Sequence, residues 1–285
     1  MAALDPVPVS VDGVTVRWRP TPWDARGLAV AATVELVAID DGAPAALAAA
    51  LAAVDRAVAP TGAALATTRV GAERTGVRAA LAAAGYLHVE TSHALTLDVR
   101  THDPRAVYRR AVAVEDAGPA DAAALAELVA TSFAYSRFHE DPRIHRSRAV
   151  ARYRRWIVAS LTGDDRVWIH RHRGQLAAVM SFRRDGARVQ LYLGGTQAAL
   201  GPLAPMFWAG VLGRMRDEGV AEVSTRVSLA NQPALRLHQA FGFTLASEDV
   251  GYTRLYDPPS LAGPVAAPEV GPGEPAAPPR TAERT

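Results

Sequence analysis

The chain contains no cysteine and no lysine among its 285 residues, and only 6% of them are aromatic. Without cysteine there is no disulfide scaffold, no thiol nucleophile and no thiolate metal site, a usage that fits a reducing cytoplasm. Without lysine the whole basic side falls to arginine, with 31 basic residues against 29 acidic and a formal charge of +2. The arginine and alanine usage reads first as the codon preference of a high-GC genome. Apart from the run 143–155, the arginines are scattered among acidic residues, so no nucleic-acid footprint is expected. The first residues lack a basic and then apolar pattern, and no signal peptide is expected. The longest uncharged stretch, Val189 to Gly213, approaches the length of a membrane span. Gly194-Gly195, Gly201-Pro202 and Pro205 break it, so it reads as a strand, a loop and a buried helix. No Gly-x-Ser-x-Gly, Walker or Rossmann signature is present.

What is there is core material: 49% of residues are apolar. Residues 113–257 read as alternating elements. A short strand at 112–114 precedes helices over 119–133 and 148–161. A three-stranded meander follows over 167–171, 176–183 and 188–193, with Gly174 and Asp185-Gly186 at its turns. Then come a helix from 203 to 218, a strand at 222–228, a helix from Asn231 to Phe241 and final strands to 255. Such an order predicts an α/β protein with a mixed sheet and helices on its faces. Residues 258–285, rich in proline and alanine, read as a disordered tail.

Residues 1–112 hold a strand candidate (29–39), an alanine-rich helix (44–58) and an internal repeat. Thr68-Arg69-Val70 precedes a helix-like run to Gly85-Tyr86, and Thr225-Arg226-Val227 precedes another to Gly242-Phe243. The offset is 157 at both ends (225 − 68 and 242 − 85). The first 112 residues are therefore read as a reduced duplicate of the half-domain that follows. The repeat also separates scaffold from chemistry. Arg74 stands where the second copy has Asn231, and Leu81 where it has His238. Polar groups kept in one copy alone are candidates for function.

The segment Asn231-Gln232-Pro233-Ala234 through His238 to Gly242-Phe243 resembles the last motif of the GNAT (GCN5-related N-acetyltransferase) superfamily, with the same spacing. Asn231 suits a helix N-cap, and Gly242 a left-handed helix exit. The chain looks most like the dTDP-fucosamine acetyltransferase group. Short words in the same order carry that likeness: Thr75-Gly76 to Gly85-Tyr86, Ser136-Arg137-Phe138, and Tyr153 to Trp156-Ile157.

The resemblance implies a GNAT fold preceded by a reduced GNAT-like domain. It implies acetyl-CoA or another acyl-CoA as co-substrate, direct transfer to a small-molecule amine such as an amino sugar, and no metal. It places the acyl group between the strands at 188–193 and 222–228, against Leu191 and Leu193, with a backbone amide near Leu193 on the thioester oxygen. His238 takes the place of the tyrosine that protonates the departing thiolate; its bland alternative is a histidine in a helix–sheet seam. Asn231, Gly201, Leu203 and Ala204 would hold coenzyme A. The loop departs from the family pattern, since 198–206 has no arginine, one glycine, and prolines at 202 and 205. Arg137, Phe138 and Glu140 are the substrate-binding candidates. His170 and His172 share a strand face, where an exposed face outweighs a metal site. No nucleic-acid or membrane partner is expected, and a homodimer stays open. The second reading is a GNAT-fold binding module without catalysis.

Overall fold

The computed structural model describes residues 5–266. In chain order the first part holds β1 (Val7–Val11), β2 (Val14–Pro20), α1 (Pro22–Leu28), β3 (Ala32–Ile39), α2 (Pro44–Val58), β4 (Ala63–Gly71), α3 (Thr75–Ala83), β5 (Leu87–Asp98) and α4 (Pro104–Val107). The second part holds β6 (Glu115–Asp116), α5 (Ala122–Ser132), α6 (Arg146–Ser160), β7 (Arg166–His172), β8 (Gln175–Asp185) and β9 (Arg188–Thr196). It continues with α7 (Ala204–Asp217), β10 (Glu222–Ser228), α8 (Gln232–Ala240), β11 (Thr244–Leu255) and α9 (Pro258–Ala262).

Local chemistry explains these elements. Pro44 opens α2, where a missing N–H costs nothing. The helix then buries Ala46, Leu47, Ala50, Leu51, Val54 and Val58, one stripe at three- and four-residue spacing. From Leu176 to Phe182, β8 is buried at every position. Leu176 and Val179 pack with α5 and α6, whereas Ala178, Met180 and Phe182 pack with α7, so helices cover both faces of the strand.

The eleven strands form one mixed sheet in the order β1-β2-β3-β4-β11-β5-β10-β9-β8-β7-β6. The repeat is visible in it. Helices α3 and α8 differ by 157 positions at both ends (232 − 75 and 240 − 83), as do β5 and β11 (244 − 87 and 255 − 98). Gly85 and Gly242 leave their helices with φ of +83° and +82°, a left-handed exit that glycine adopts without strain. The third strand of each copy is exchanged. From the second copy, β11 pairs with β4 and places Val250 and Tyr252 in the first copy's core. From the first copy, β5 pairs with β10 and places Leu95, Leu97 and Val99 in the second copy's core. The division expected at residue 112 is therefore not a division of the sheet.

Other expectations need correction. Residues 112–114 are not a strand: the Val112 N–H donates to the Met206 carbonyl of α7. Gly210 permits that approach, since a Cβ there would sit 2.2 Å from the Val112 oxygen. The final strands are the single β11, and β1, β2, α1 and β5 went unread. The segment 258–266 is not a tail. Leu261 is fully buried, and the Val265 N–H donates to Ser147 Oγ at 2.9 Å. Residues 267–285 lie outside the described residues. Val189–Gly213 becomes β9, a 3-10 turn and α7, and no helix among the described residues is long and apolar enough to cross a membrane.

Candidate active site

β9 and β10 run parallel and pair only over Arg188–Gln190 and Glu222–Ser224. Beyond that point they part. A bulge helps re-aim β9: opposite β8, Ser181 faces Leu193 and Phe182 faces Leu191, so Tyr192 is the extra residue. The parting opens a cleft that reaches the first copy. From β9 it is lined by Leu191 and Leu193, from α8 and its cap by Asn231 and His238, and from the loop after α5 by Arg137 and Phe138. Those six expected residues do meet in one place.

Four others do not. Glu140 is not part of the lining; its carboxyl accepts a hydrogen bond from Ser228, a lining residue, while its Oε1 is buried without a hydrogen-bond partner among the described residues. Burial pushes that carboxyl up, and the charge of Glu90 adds to the shift. Gly201 and Leu203, on the 3-10 turn Ala198–Leu203, and Ala204, the first residue of α7, stand outside the cleft lining. The Ala204 N–H donates to the Gly201 carbonyl, so it is already spent within the chain and corrects its reading as a coenzyme A donor.

The Leu193 amide is engaged as well. It donates to the buried Ser181 hydroxyl at 3.2 Å, so a thioester oxygen placed there would have to compete for it. Asn231 does what its position suggested, its Oδ1 accepting from the Ala234 N–H at 3.3 Å.

His238 is 4% exposed, packed edge-on against Trp208 and Phe243 with ring centroids 4.5 and 5.0 Å away. Its Nδ1 lies 2.7 Å from the Ala234 carbonyl oxygen. A carbonyl only accepts, so Nδ1 carries the proton and Nε2 keeps the lone pair. That Nε2 is buried and has no hydrogen-bond partner among the described residues. Burial lowers the imidazole pKa to about 4, only partly opposed by the Ala234 bond. The ring is therefore neutral at pH 7, and its Nε2 can protonate a departing thiolate only after it has first taken up a proton. Sequence position gave the residue; desolvation decided its proton.

The sequence reading missed much of the wall. Phe133, Tyr153, Trp156 and Tyr192 form a chain of ring contacts at 5.6–5.9 Å. Four arginines line the cleft: Arg69, Arg137, Arg152 and Arg226. Arg69 pairs with Glu90 at 2.6 Å and Arg226 with Asp249 at 2.6 Å. Burial pushes the Glu90 carboxyl upward, but Arg69, with Arg137 and Arg226 adding to it, turns the net shift downward. The available signal was the repeated Thr-Arg-Val, which carries Arg69 and Arg226 to equivalent places (226 − 69 = 157). The arginine run 143–155 is not uniformly exposed: Arg148 and Arg152 are buried. Arg148 donates to the Leu28 and Ala29 carbonyls at the end of α1. His170 is held by the Ala113 carbonyl at 2.9 Å, and no group of three metal-ligating side chains occurs among the described residues.

No family model and no curated protein matches the sequence. Solved structures do match the fold. A GCN5-related N-acetyltransferase from Sphaerobacter thermophilus aligns with a TM-score of 0.60 at 12% identity, covering 88% of this chain and 80% of that one. A tandem GNAT protein from the clavulanic acid biosynthesis pathway aligns at 0.55 and 18% identity, covering 93% and 86%. A functionally unknown conserved protein from Staphylococcus epidermidis aligns at 0.64 and 6% identity, covering 89% and 95%. The chain has a GNAT fold with an additional domain.

Proposed function

We propose that the chain is an acyl-CoA-dependent N-acyltransferase that moves an acetyl or related acyl group directly to a small amine. The observation that carries this reading is the cleft where β9 and β10 part, with the neutral His238 and its uncommitted Nε2 on the wall. Unpaired strand edges suit the amide groups of an extended acyl thioester, which can pair along β9 or β10 as a further strand would. The chain supplies the rest. Apolar Leu191 and Leu193 with Trp208 keep water from the reacting carbon. As the amine nitrogen bonds to the acyl carbon it must lose a proton, and Nε2 of His238 offers the lone pair to take it. The same nitrogen then returns that proton to the departing sulfur. His238 thus acts as a shuttle, consistent with a ring that starts neutral.

The pyrophosphate end of the co-substrate fits less well. The turn before α7 has no arginine, carries prolines at 202 and 205, and closes the Ala204 amide onto Gly201. The N-terminus of α7 still follows that turn. Weak retention of coenzyme A is therefore part of the reading. Amino sugars remain the first acceptor class to try, on the likeness to the dTDP-fucosamine group and on the aromatic wall. The closed turn also favours a second reading, a GNAT-fold binding module that has lost catalysis.

Calorimetric titration with acetyl-CoA and free coenzyme A separates the two. Saturable binding of both, followed by coenzyme A release with an amine acceptor, is the expected result. A folded protein that binds neither removes the enzyme reading.

A further inference from the structure

The His238 shuttle carries one proton, and an alkylamine acceptor has two to lose. At pH 7 such an amine is an ammonium ion, since its pKa resembles the lysine value of about 10.4. The first proton must leave before the nitrogen has a lone pair with which to attack. A ring that took this proton would have no lone pair left for the second. Another proton path stands on the same wall.

Ser228 ends β10, is buried, and lines the cleft. Its hydroxyl accepts from the Ala230 N–H at 3.1 Å and donates to the carboxyl of Glu140. A hydroxyl has one hydrogen and two lone pairs, so one lone pair of Oγ has no partner among the described residues. The N–H of Glu140 is fixed on the Ser136 carbonyl at 2.8 Å. Its Oε1 is buried without a hydrogen-bond partner among the described residues, so no donor is displaced when the carboxyl takes up a proton. Burial pushes that carboxyl up, and the Glu90 charge adds to the push, against the Ser228 bond and the Arg69 charge. The net direction favours proton uptake over that of an ordinary carboxylate.

The repeat marks this pair as belonging to the opened copy alone. Gly71 stands at the place of Ser228 (228 − 157 = 71). A Cβ there would lie 2.2 Å from Glu73 Oε1, so the first copy has no room for the serine side chain unless Glu73 moves. Glu140 has no counterpart, because 140 − 157 falls before residue 1.

We propose that Ser228 takes the first proton of the acceptor ammonium and passes a proton on to Glu140, a step that rests on the acyltransferase reading. The N–H bond breaks and leaves its electron pair on nitrogen. The proton goes to the open lone pair of Ser228 Oγ as the hydroxyl's own hydrogen moves to the Glu140 carboxylate. The neutral amine then attacks the acyl carbon, and its second proton follows His238 to the sulfur. Ser228 touches the amine; Glu140 acts only through it and releases its proton to solvent between turnovers.

The test follows coenzyme A release from acetyl-CoA with two small nucleophiles: ethanolamine, charged at pH 7, and hydroxylamine, neutral there. Ser228→Ala and Glu140→Gln should each lower kcat/KM for ethanolamine by about 100-fold, the usual contribution of a positioned proton acceptor. The same variants should react with hydroxylamine at close to the wild-type rate, which also shows that the site is folded. Ser228→Thr, which keeps a hydroxyl, should restore the ethanolamine reaction. Raising the pH toward about 10, where solvent supplies free amine, should close the deficit of both variants. An unchanged ethanolamine rate in the variants, an equal loss with both nucleophiles, or a wild-type protein that uses hydroxylamine alone overturns the proposal. Each of those results leaves acyl transfer standing. A folded wild-type protein that acylates neither nucleophile removes the acyltransferase reading, and this step with it.

Discussion

The two copies of the repeat share a scaffold and differ at the place where chemistry is proposed. In the first, β3 and β4 stay paired as far as Leu36 and Thr68. The equivalent positions in the second are Leu193 and Thr225 (193 − 36 and 225 − 68, both 157), where β9 and β10 have already parted. The helix that follows tells the same story. Leu81 of α3 is fully buried in the first core, where α8 puts His238 in the cleft lining with Nε2 unpartnered among the described residues. The zipped copy with a leucine supports the fold, and the opened copy with a histidine holds the proposed site. The strand exchange binds the two together, so neither copy has a complete core without the other.

The largest expected effect breaks that mutual dependence. Expressed alone, residues 1–112 lack β11 and residues 113–266 lack β5, and neither should show a cooperative thermal transition. Co-expressed, the two fragments should copurify. Cooperative folding of either one alone would show that the exchange is incidental.

Two substitutions at equivalent positions sharpen the contrast. Leu81→Ala should cost about 2–5 kcal/mol in urea unfolding, the usual range for a buried leucine, and leave kcat/KM unchanged where the variant is folded. His238→Ala should lower kcat by roughly 100-fold or more, the usual contribution of a positioned acid–base group. Equal turnover with and without His238 would return it to the seam.

Acid should act through the opened copy and its neighbours. His238 has a folded pKa of about 4 against an ordinary 6.5, because burial disfavours its charged form. The folded state then binds fewer protons between those values, so stability is full above pH 6.5 and falls as pH drops toward 4. That one ring accounts for on the order of 3 kcal/mol. His139 carries the same sign, lowered to about 4 by burial and then by Arg146 and Arg152. Urea midpoints from pH 7 to pH 4.5 should decline, and His238→Phe should flatten part of the slope. The smallest effect is at the cap: Asn231→Ala should cost about 1 kcal/mol, read as a shift in the same urea midpoint.

Much of this was legible in the residues. Pro44–Val58 was read as a helix with its bounds correct, and Glu222–Ser228 as a strand, because turn residues and apolar periodicity are local signals. The words Thr-Arg-Val and Gly-aromatic revealed the repeat, and with it the contrast between Leu81 and His238. β5 escaped because His88, Glu90 and His93 interrupt its apolar pattern; those side chains meet Thr91, Arg69 and Glu248 instead. The places of Glu140 and Ala204 outside the cleft lining were not legible for a related reason. A side chain's position along the chain does not say which hydrogen bond it has already made.

The sequence by itself determined most elements of the second copy, the duplication, the helix cap at Asn231 and the histidine at position 238. Tertiary structure decided which strand completes which core, where β9 and β10 part, and that arginines from distant segments line one cleft. It also decided that His238 is neutral. The physical reason is common to all four. Periodicity and turn chemistry act within a few residues. Strand partners and the desolvation of a charge depend on groups brought from far along the chain.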